Sequence, residues 1–354
     1  MTDSFFICRQ NFSWNRRGLR VRNRLRLLGL LTSEHHLQPV SLRDVEAAAL
    51  RIKGLLLRTP IVRLNADDQS RQIYLKLENL QPTGSFKVRG ASNAIALAGP
   101  EAKSRGVYTC SAGNMAQALA WQARQKGITC SVIVPDEAPE TKLKAIERLG
   151  ARIIQVSFDE VWKVVTTHEY APLSDSVFIH PFADERMIAG NGTIGLEILE
   201  DVPDAASVIV PFGGGGLSTG IATAIRGKRP DIRIYAVEPE TAAPLATSFA
   251  AGKAMEIKRV PSFVDGIGGR SVLPEIWSLV SKLLNGSIVC SLKEIASAVC
   301  LLVERNRVVA EGAGGASVAA ALTGKAGPGK TVCVVSGGNI DTTKLTKILS
   351  GQVP

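Results

Sequence analysis

Lys87 lies in the stretch GSFKVRGASN, between the bulky aromatic Phe86 and a Gly-flanked run that contains an arginine. Pro82, Thr83 and Gly84 turn the chain just before it. A surface lysine needs no such surroundings. A lysine that serves as nucleophile or base must lose solvent, because its free pKa is about 10.4. The apolar Phe86 beside it suits that task.

A second stretch asks for an anion. In VIVPFGGGGLSTG a buried-looking strand runs into Gly213, Gly214, Gly215 and Gly216, and a helix follows from about Leu217. Four consecutive glycines cost backbone entropy on folding, so something approaches the backbone closely or demands unusual dihedral angles. Strand, glycine loop and helix N-terminus together present several N–H groups to a phosphate. Charge-assisted N–H bonds contribute about 1.5–3 kcal/mol each, against roughly 0.3–2 kcal/mol for the helix dipole, so the loop amides dominate. Glu238 ends the next strand, where a dinucleotide's ribose-binding acid would stand. However, the G-x-G-x-x-G spacing would need glycine at Ser218 or Thr219, and neither is one. No Gly-Lys-Ser/Thr follows, which excludes a P-loop. A compact phosphate such as that of pyridoxal phosphate (PLP) fits, and PLP needs a lysine amine to bond its aldehyde.

Two further loops follow strands. In CSAGNMAQALAW the strand GVYTC ends in Ser111, Ala112, Gly113 and Asn114 before a helix. Ser and Asn there are ordinary caps, or they form a carboxylate pocket with Asn114 placed for the PLP ring hydroxyl. In VVSGGN, Ser336 ends a buried strand at its carboxyl end, where α/β sites gather. A hydroxyl facing the pyridine nitrogen leaves the ring largely unprotonated, which favours elimination over long-lived carbanion chemistry.

The elements that must carry these loops alternate. SLRDVEAAALRIKGLL reads as a helix capped by Ser41, RTPIVRL as extended, and IYLKLE as a strand. GVYTC, TCSVIVP and ARIIQV read as strands separated by the helices NMAQALAWQARQKG and TKLKAIERLG. The alternation restarts at residues 207–211 and continues through IRIYAVE, helices near 275–284 and 293–305, GASVAAALTG and the strand TVCVVSGG. Stacked βαβ units predict mostly parallel sheets. The expected fold class is α/β: two open, twisted, mostly parallel sub-domains with the cofactor in the cleft between them. Residues 41–104 and 183–354 form the larger, PLP-binding one, and 105–182 the smaller.

Composition excludes several classes. Aromatics at 5% and 33 glycines favour a glycine-looped α/β enzyme over a β-sandwich. The six cysteines form no C-x-x-C pair and lie at no metal spacing, as expected of reduced core residues in a cytoplasmic protein. No metal site is expected. No apolar run reaches the ~18 residues of a membrane span. Half of the net charge of +10 lies in residues 1–40, where seven arginines face only Asp3 and Glu34. That segment reads as a poorly ordered basic extension, with a transit peptide or a misassigned start as the other readings. The remaining surplus is diffuse and predicts no nucleic-acid partner.

Taken together, KLENLQPTGSFKVRGA, SAGNMAQ, AGNGTIGLEI, PFGGGGLSTG, DGIGG and SGGN, in this order over residues 42–348, resemble the threonine/serine dehydratase branch of the fold-type II PLP enzymes, the tryptophan synthase β-like group. The resemblance implies Lys87 as the Schiff-base lysine with Phe86 near the ring. It implies Asn114 on the ring hydroxyl, Gly213–Gly216 and Leu217 on the phosphate, and Ser336 on the ring nitrogen. Ser111, Ala112, Gly113, Met115 and Gln117 would bind the substrate carboxylate. The implied reaction removes water from an L-β-hydroxy amino acid, L-threonine or L-serine, to give a 2-oxo acid and ammonia, in a homodimer of the short form without an effector domain.

Departures from the family pattern bear on substrate and metal. Met115 replaces the usual histidine, which points to a more apolar pocket. Pro244 stands where some relatives place an aspartate that binds a cation together with the residue matching Glu238. In racemases that resemble this family a second serine precedes the Gly-Asn pair, and here that residue is Ala112. The four histidines, His35, His36, His168 and His180, lie outside every motif and read as structural or surface residues. A 3-hydroxyaspartate or phenylserine dehydratase, a serine racemase-like enzyme and a β-replacing synthase remain open. So do a nicotinamide-binding Rossmann oxidoreductase and a silent amino-acid-binding protein.

Overall fold

The computed structural model describes residues 37–68 and 70–354. The basic extension expected at 1–40 lies almost wholly outside them, as do Cys8, His35 and His36. The chain enters through α1 (Leu42–Ile52), where Ser41 and Asp44 form a reciprocal capping box. β1 (Ile61–Arg63) and β2 (Ile73–Leu77) then pair antiparallel. The lysine stretch, read in the sequence only as a site, opens a long helix, α2 (Lys87–Arg105).

A four-stranded, wholly parallel sheet follows, made of β3 (Val107–Cys110), β4 (Cys130–Pro135), β5 (Arg152–Val156) and β6 (Val177–Phe178). Between its strands run α3 (Asn114–Lys126), α4 (Glu140–Glu147) and α5 (Phe158–Thr167). The six-stranded sheet resumes after α6 (Glu185–Asp201) with β7 (Ala205–Pro211), α7 (Gly216–Lys228) and β8 (Arg233–Pro239). It continues through α8 (Pro244–Ala251), α9 (Pro274–Leu283) and β9 (Gly286–Cys290). α10 (Leu292–Leu301), α11 (Gly312–Leu322), β10 (Lys330–Val335) and α12 (Thr342–Leu349) complete it. β7 and β10 are nearly continuous runs of buried apolar residues, as strands covered on both faces must be.

Strand order places the site. The large sheet runs β1-β2-β10-β7-β8-β9. The chain moves outward from β7 through β8 and β9, then returns to β10 on the other side of β7. The small sheet runs β5-β4-β3-β6, with the same reversal between β3 and β6. Ligands of open parallel sheets bind at such reversals, beyond the carboxyl ends of the strands. The loops leaving those four ends are Phe212–Gly215, Ser336–Asn339, Ser111–Gly113 and Ile179–Asp184.

The AGNGTIGLEI motif turns out to be packing. It lies within α6, and a Cβ on Gly220 of α7 would come 2.2 Å from the Ile188 carbonyl oxygen. Only glycine permits that backbone contact between the two helices. Of the five described cysteines, four are buried and none is bridged.

Candidate active site

The four loops meet around a cavity of about 410 Å³. Its lining includes Phe86, Lys87, Ser111–Met115, Gly213–Leu217 and Ser336, thirteen of the fourteen residues singled out in the sequence. Gln117 is not among them. It sits one turn further along α3, half-buried between Ala116 and Ala118. Met115 reaches the wall but is 1% exposed and packs in the core of the small sheet with Val88 and Leu119. The apolar side of the cavity is instead formed by Phe158, Trp162 and Val165, which share one face of α5. A more open groove beside α1 and α6 is lined by Leu50, Leu196 and Leu199 together with Lys53, Lys228 and Arg229, and it holds none of the residues singled out in the sequence.

Lys87 begins α2, and its Nζ donates to the Pro181 carbonyl at 2.5 Å. The amine also lies 5.2 Å from the Phe86 ring centroid. Burial pulls Lys87 down to about 8, with the charge of Glu311 opposing. The Phe86 N–H donates to the Ser336 carbonyl at 3.0 Å, tying the lysine turn to the end of β10.

Glu311 is the residue that motif reading missed. It stands at the N-cap of α11, but its side chain makes no capping bond. It turns into the cavity and accepts from Asn114 Nδ2 at 2.8 Å. Asn339 Nδ2 donates to Asn114 Oδ1 at 2.8 Å and to the Thr83 carbonyl at 2.9 Å, so the Asn114 amide is held at both ends. Burial pushes Glu311 up to about 7, with the Asn114 amide opposing. A glutamate before GAGGAS reads naturally as a helix cap, and only the β10 turn closing over it reveals its other direction.

Replacing that carboxylate gives a signed expectation. Its negative charge favours the ammonium form of Lys87, so Glu311→Gln should release the amine at lower pH. In the cofactor-free protein, acylation of Lys87 near pH 7, read by peptide mapping, should become about fivefold faster for a one-unit lowering, because an amine that titrates at about 8 is already roughly a tenth neutral there. An unchanged rate-against-pH curve would show that the two groups do not sense each other.

The glycine loop has two causes. Gly215 adopts φ +88°, which side-chain-bearing residues rarely take. A Cβ on Gly214 would lie 2.1 Å from the Phe182 ring, so the close approach comes from the protein itself. The loop then feeds α7, whose first-turn N–H groups have no intrahelical acceptors and suit a phosphate. The Ser111 hydroxyl is turned back on its own loop, accepting from the Gly113 N–H at 3.1 Å. Asp265, in the DGIGG stretch, is bracketed by Lys142 of α4 and Lys344 of α12, both at 3.1 Å.

Glu238 does not face this cavity. Its two oxygens accept from the Leu245 and Ala246 N–H groups and the Ser287 hydroxyl at 2.7–2.8 Å, at the start of α8 behind Pro244. Burial pushes it up to about 7 against those three donors. The position that resemblance links to a cation thus caps a helix here.

A desolvated amine, a phosphate-ready helix terminus, a fixed amide and a strand-end serine around one cavity are the donor set that PLP requires. Residues 52–338 match the family model described as pyridoxal-phosphate dependent enzyme. The chain belongs to the pyridoxal-phosphate dependent enzymes. The L-threonine ammonia-lyase of Thermotoga maritima is 39% identical over 316 residues, 88% of this chain and 78% of that one. The catabolic L-threonine dehydratase of Escherichia coli K12 is 36% identical over 316 residues, 88% of this enzyme and 96% of the relative. Among solved structures, maize serine racemase superposes with a TM-score of 0.81 at 32% identity, covering 88% of this enzyme and 98% of that chain. The α/β fold class and the PLP cofactor expected from the sequence are both borne out.

Proposed function

We propose that this enzyme is an L-threonine ammonia-lyase that also accepts L-serine, converting the amino acid to a 2-oxo acid and ammonia. The observation that carries the reading is the single cavity shared by Lys87, the tetraglycine loop and Ser336. Relatives named for threonine deamination, at 36–39% identity, support the substrate class. When bound, PLP supplies an aldehyde to hold the substrate amine and a ring to accept electrons from the α-carbon.

The chain's residues divide the rest. Lys87 carries the cofactor and, when its amine is free, moves the α-proton; a pKa of about 8 leaves a usable neutral fraction near neutrality. Phe86 keeps water from that amine. The N–H groups of Gly213–Leu217 take the phosphate, and Asn114 takes the ring hydroxyl, oriented by Glu311 and Asn339. Ser336 meets the ring nitrogen with a hydroxyl, which keeps negative charge from settling on the ring. The Ser111–Met115 loop receives the substrate carboxylate at the head of α3, and we assign Gln117 the same role once the loop has drawn inward. The apolar face of α5 leaves room for the threonine methyl.

The similarity to serine racemase makes racemisation the second reading. It needs a proton-carrying group on each face of the α-carbon, and Ala112 in the cavity wall carries none. The test measures 2-oxo acid release from L-threonine, L-serine, 3-phenylserine and 3-hydroxyaspartate, with chiral analysis of the unreacted substrate. L-Threonine should turn over fastest and remain unracemised. D-Serine accumulating as fast as 2-oxo acid from L-serine would overturn the reading in favour of a racemase. A homodimer in the cytoplasm completes the proposal. No helix among the described residues is long and apolar enough to cross a membrane, and sedimentation tests the dimer.

A further inference from the structure

We propose that His180 is a positioning residue, which fixes the peptide group that holds the free Lys87 amine. The segment His180–Ala183 leaves β6 at the small sheet's strand-order reversal, beside the Ser111–Gly113 loop that leaves the neighbouring parallel strand β3. His180 is 2% exposed. Its Nδ1 accepts from the Phe182 N–H at 3.1 Å and the Ala183 N–H at 2.7 Å. A backbone N–H can only donate, so Nδ1 is bare and the proton lies on Nε2. Nε2–H then donates to the Val165 carbonyl of α5 at 3.1 Å. The ring is therefore neutral and held at both nitrogens, with the His168 ring 4.4 Å and the Phe182 ring 4.5 Å away.

The consequence lies in one peptide plane. The Phe182 N–H and the Pro181 C=O belong to the same planar group and point in opposite directions across a trans bond. His180 binds the N–H end, and Lys87 Nζ binds the C=O end at 2.5 Å. With the N–H end fixed, the plane cannot rotate its carbonyl away from the amine. The same turn places the Phe182 ring against Gly214, and a Cβ on Gly216 would fall 2.5 Å from the Phe182 carbonyl oxygen. One histidine outside every motif thus sets both the lysine's resting contact and the wall beside the glycine loop. The contact matters whenever the Lys87 amine is free, which in the proposed function includes the interval in which it handles the α-proton.

Two side-chain replacements separate the nitrogens. In His180→Asn, Oδ1 takes the place of Nδ1 and can still accept from the turn. In His180→Gln, the terminal amide reaches Val165 but leaves the two N–H groups without their acceptor. The first readout is the acylation rate of Lys87 in the cofactor-free protein, followed by peptide mapping, which needs neither substrate nor turnover. H180Q should raise that rate at least about threefold, whereas H180N should stay close to the unsubstituted protein, as expected when one bond orients the amine. The second readout is turnover of L-threonine. H180Q should lose about tenfold or more in kcat with KM changed less than about threefold, and H180N should recover most of it, since small misplacements near the reacting atoms act on kcat.

Equal behaviour of the two variants overturns the proposal, whether both match the unsubstituted protein or both fail, including failure to fold. The Nδ1 acceptor would then have no role of its own. If the acylation rates separate the variants while L-threonine is not turned over by any of the proteins, the positioning role stands and the assigned reaction falls.

Discussion

Lys87→Ala should leave no measurable 2-oxo acid release from L-threonine, a loss of about 10⁴-fold or more. General-base removal alone costs roughly 10²–10⁴-fold, and the same substitution removes the amine that bonds the cofactor. The other charged side chains of the cavity do not replace it. The other charged side chains lining the cavity are Lys142, Arg259, Asp265, Arg270 and Glu311. Lys142 is paired with Asp265 at 3.1 Å, and Arg270 with Glu256 at 2.8 Å. Arg259 carries a guanidinium, which offers donors and no acceptor. Glu311 is a carboxyl group and cannot bond an aldehyde as an amine does.

The enzyme should be yellow when loaded, and borohydride reduction followed by peptide mapping should place the label on Lys87. The alanine variant should show neither. Its fold should survive, because the carboxyl facing the amine, Glu311, keeps the Asn114 amide as its donor and is pushed up to about 7 by burial. Residual turnover within about tenfold of the unsubstituted enzyme would show that another group moves the α-proton.

The second large effect concerns stability and comes from Arg89, two residues beyond Lys87 in the same motif. Its guanidinium is 2% exposed and donates to both oxygens of Glu78 at 2.8 Å. It also donates to both oxygens of Glu197, at 2.7 and 2.9 Å, and to Thr193 Oγ1 at 3.1 Å. Lys76, wholly buried, donates to Glu197 at 2.5 Å and to the Thr59 carbonyl at 2.6 Å. Two cations and two anions thus balance beneath the first turn of α2, linking β2, α2 and α6.

Arg89→Met keeps the stem's volume and removes one cation. Glu78 is then left buried beside a single shared lysine. Breaking a buried pair in this way costs about 3–5 kcal/mol, which a lowered urea midpoint would report. Burial pushes Glu78 up, but the charge and hydrogen bonds of Arg89 outweigh it and hold the carboxyl below its ordinary 4.5. A carboxyl lowered in the folded state contributes stability that is present above its unfolded pKa and lost as pH falls through the folded value. The unsubstituted enzyme should therefore lose this contribution only on acidification below about 4.5, and the variant should already lack it at neutral pH. A midpoint unchanged at pH 7 would mean that the network is dispensable to the fold.

Local sequence determined the chemistry to a large extent. A lysine after a turn, four glycines between a strand and a helix, and a serine ending a strand each state a requirement in a few adjacent residues. The ordered βαβ alternation states where such loops must gather. Thirteen of the singled-out residues therefore meet in one cavity. The capped helix from Ser41 and the strand leading to Ser336 are similarly local, because capping and alternation act within a few residues.

Other assignments depended on partners remote in sequence. Glu311 resembles a helix cap until Asn114, 197 residues away, turns it into part of the site. Arg89 lies in the motif that surrounds the lysine, yet its partners Glu78 and Glu197 make it an anchor beneath the site. The glycines of AGNGTIGLEI belong to helix contacts, Gly190 to that of α6 with α2 and Gly192 and Gly195 to that of α6 with α7, which no periodicity encodes. His180 is a histidine without a motif, and its function comes from a peptide plane that it shares with Lys87, 93 residues earlier in the chain. Hydrogen bonds and packing contacts between distant segments acquire direction only when the sheets close, because strand order at the two reversals decides which loops face one another.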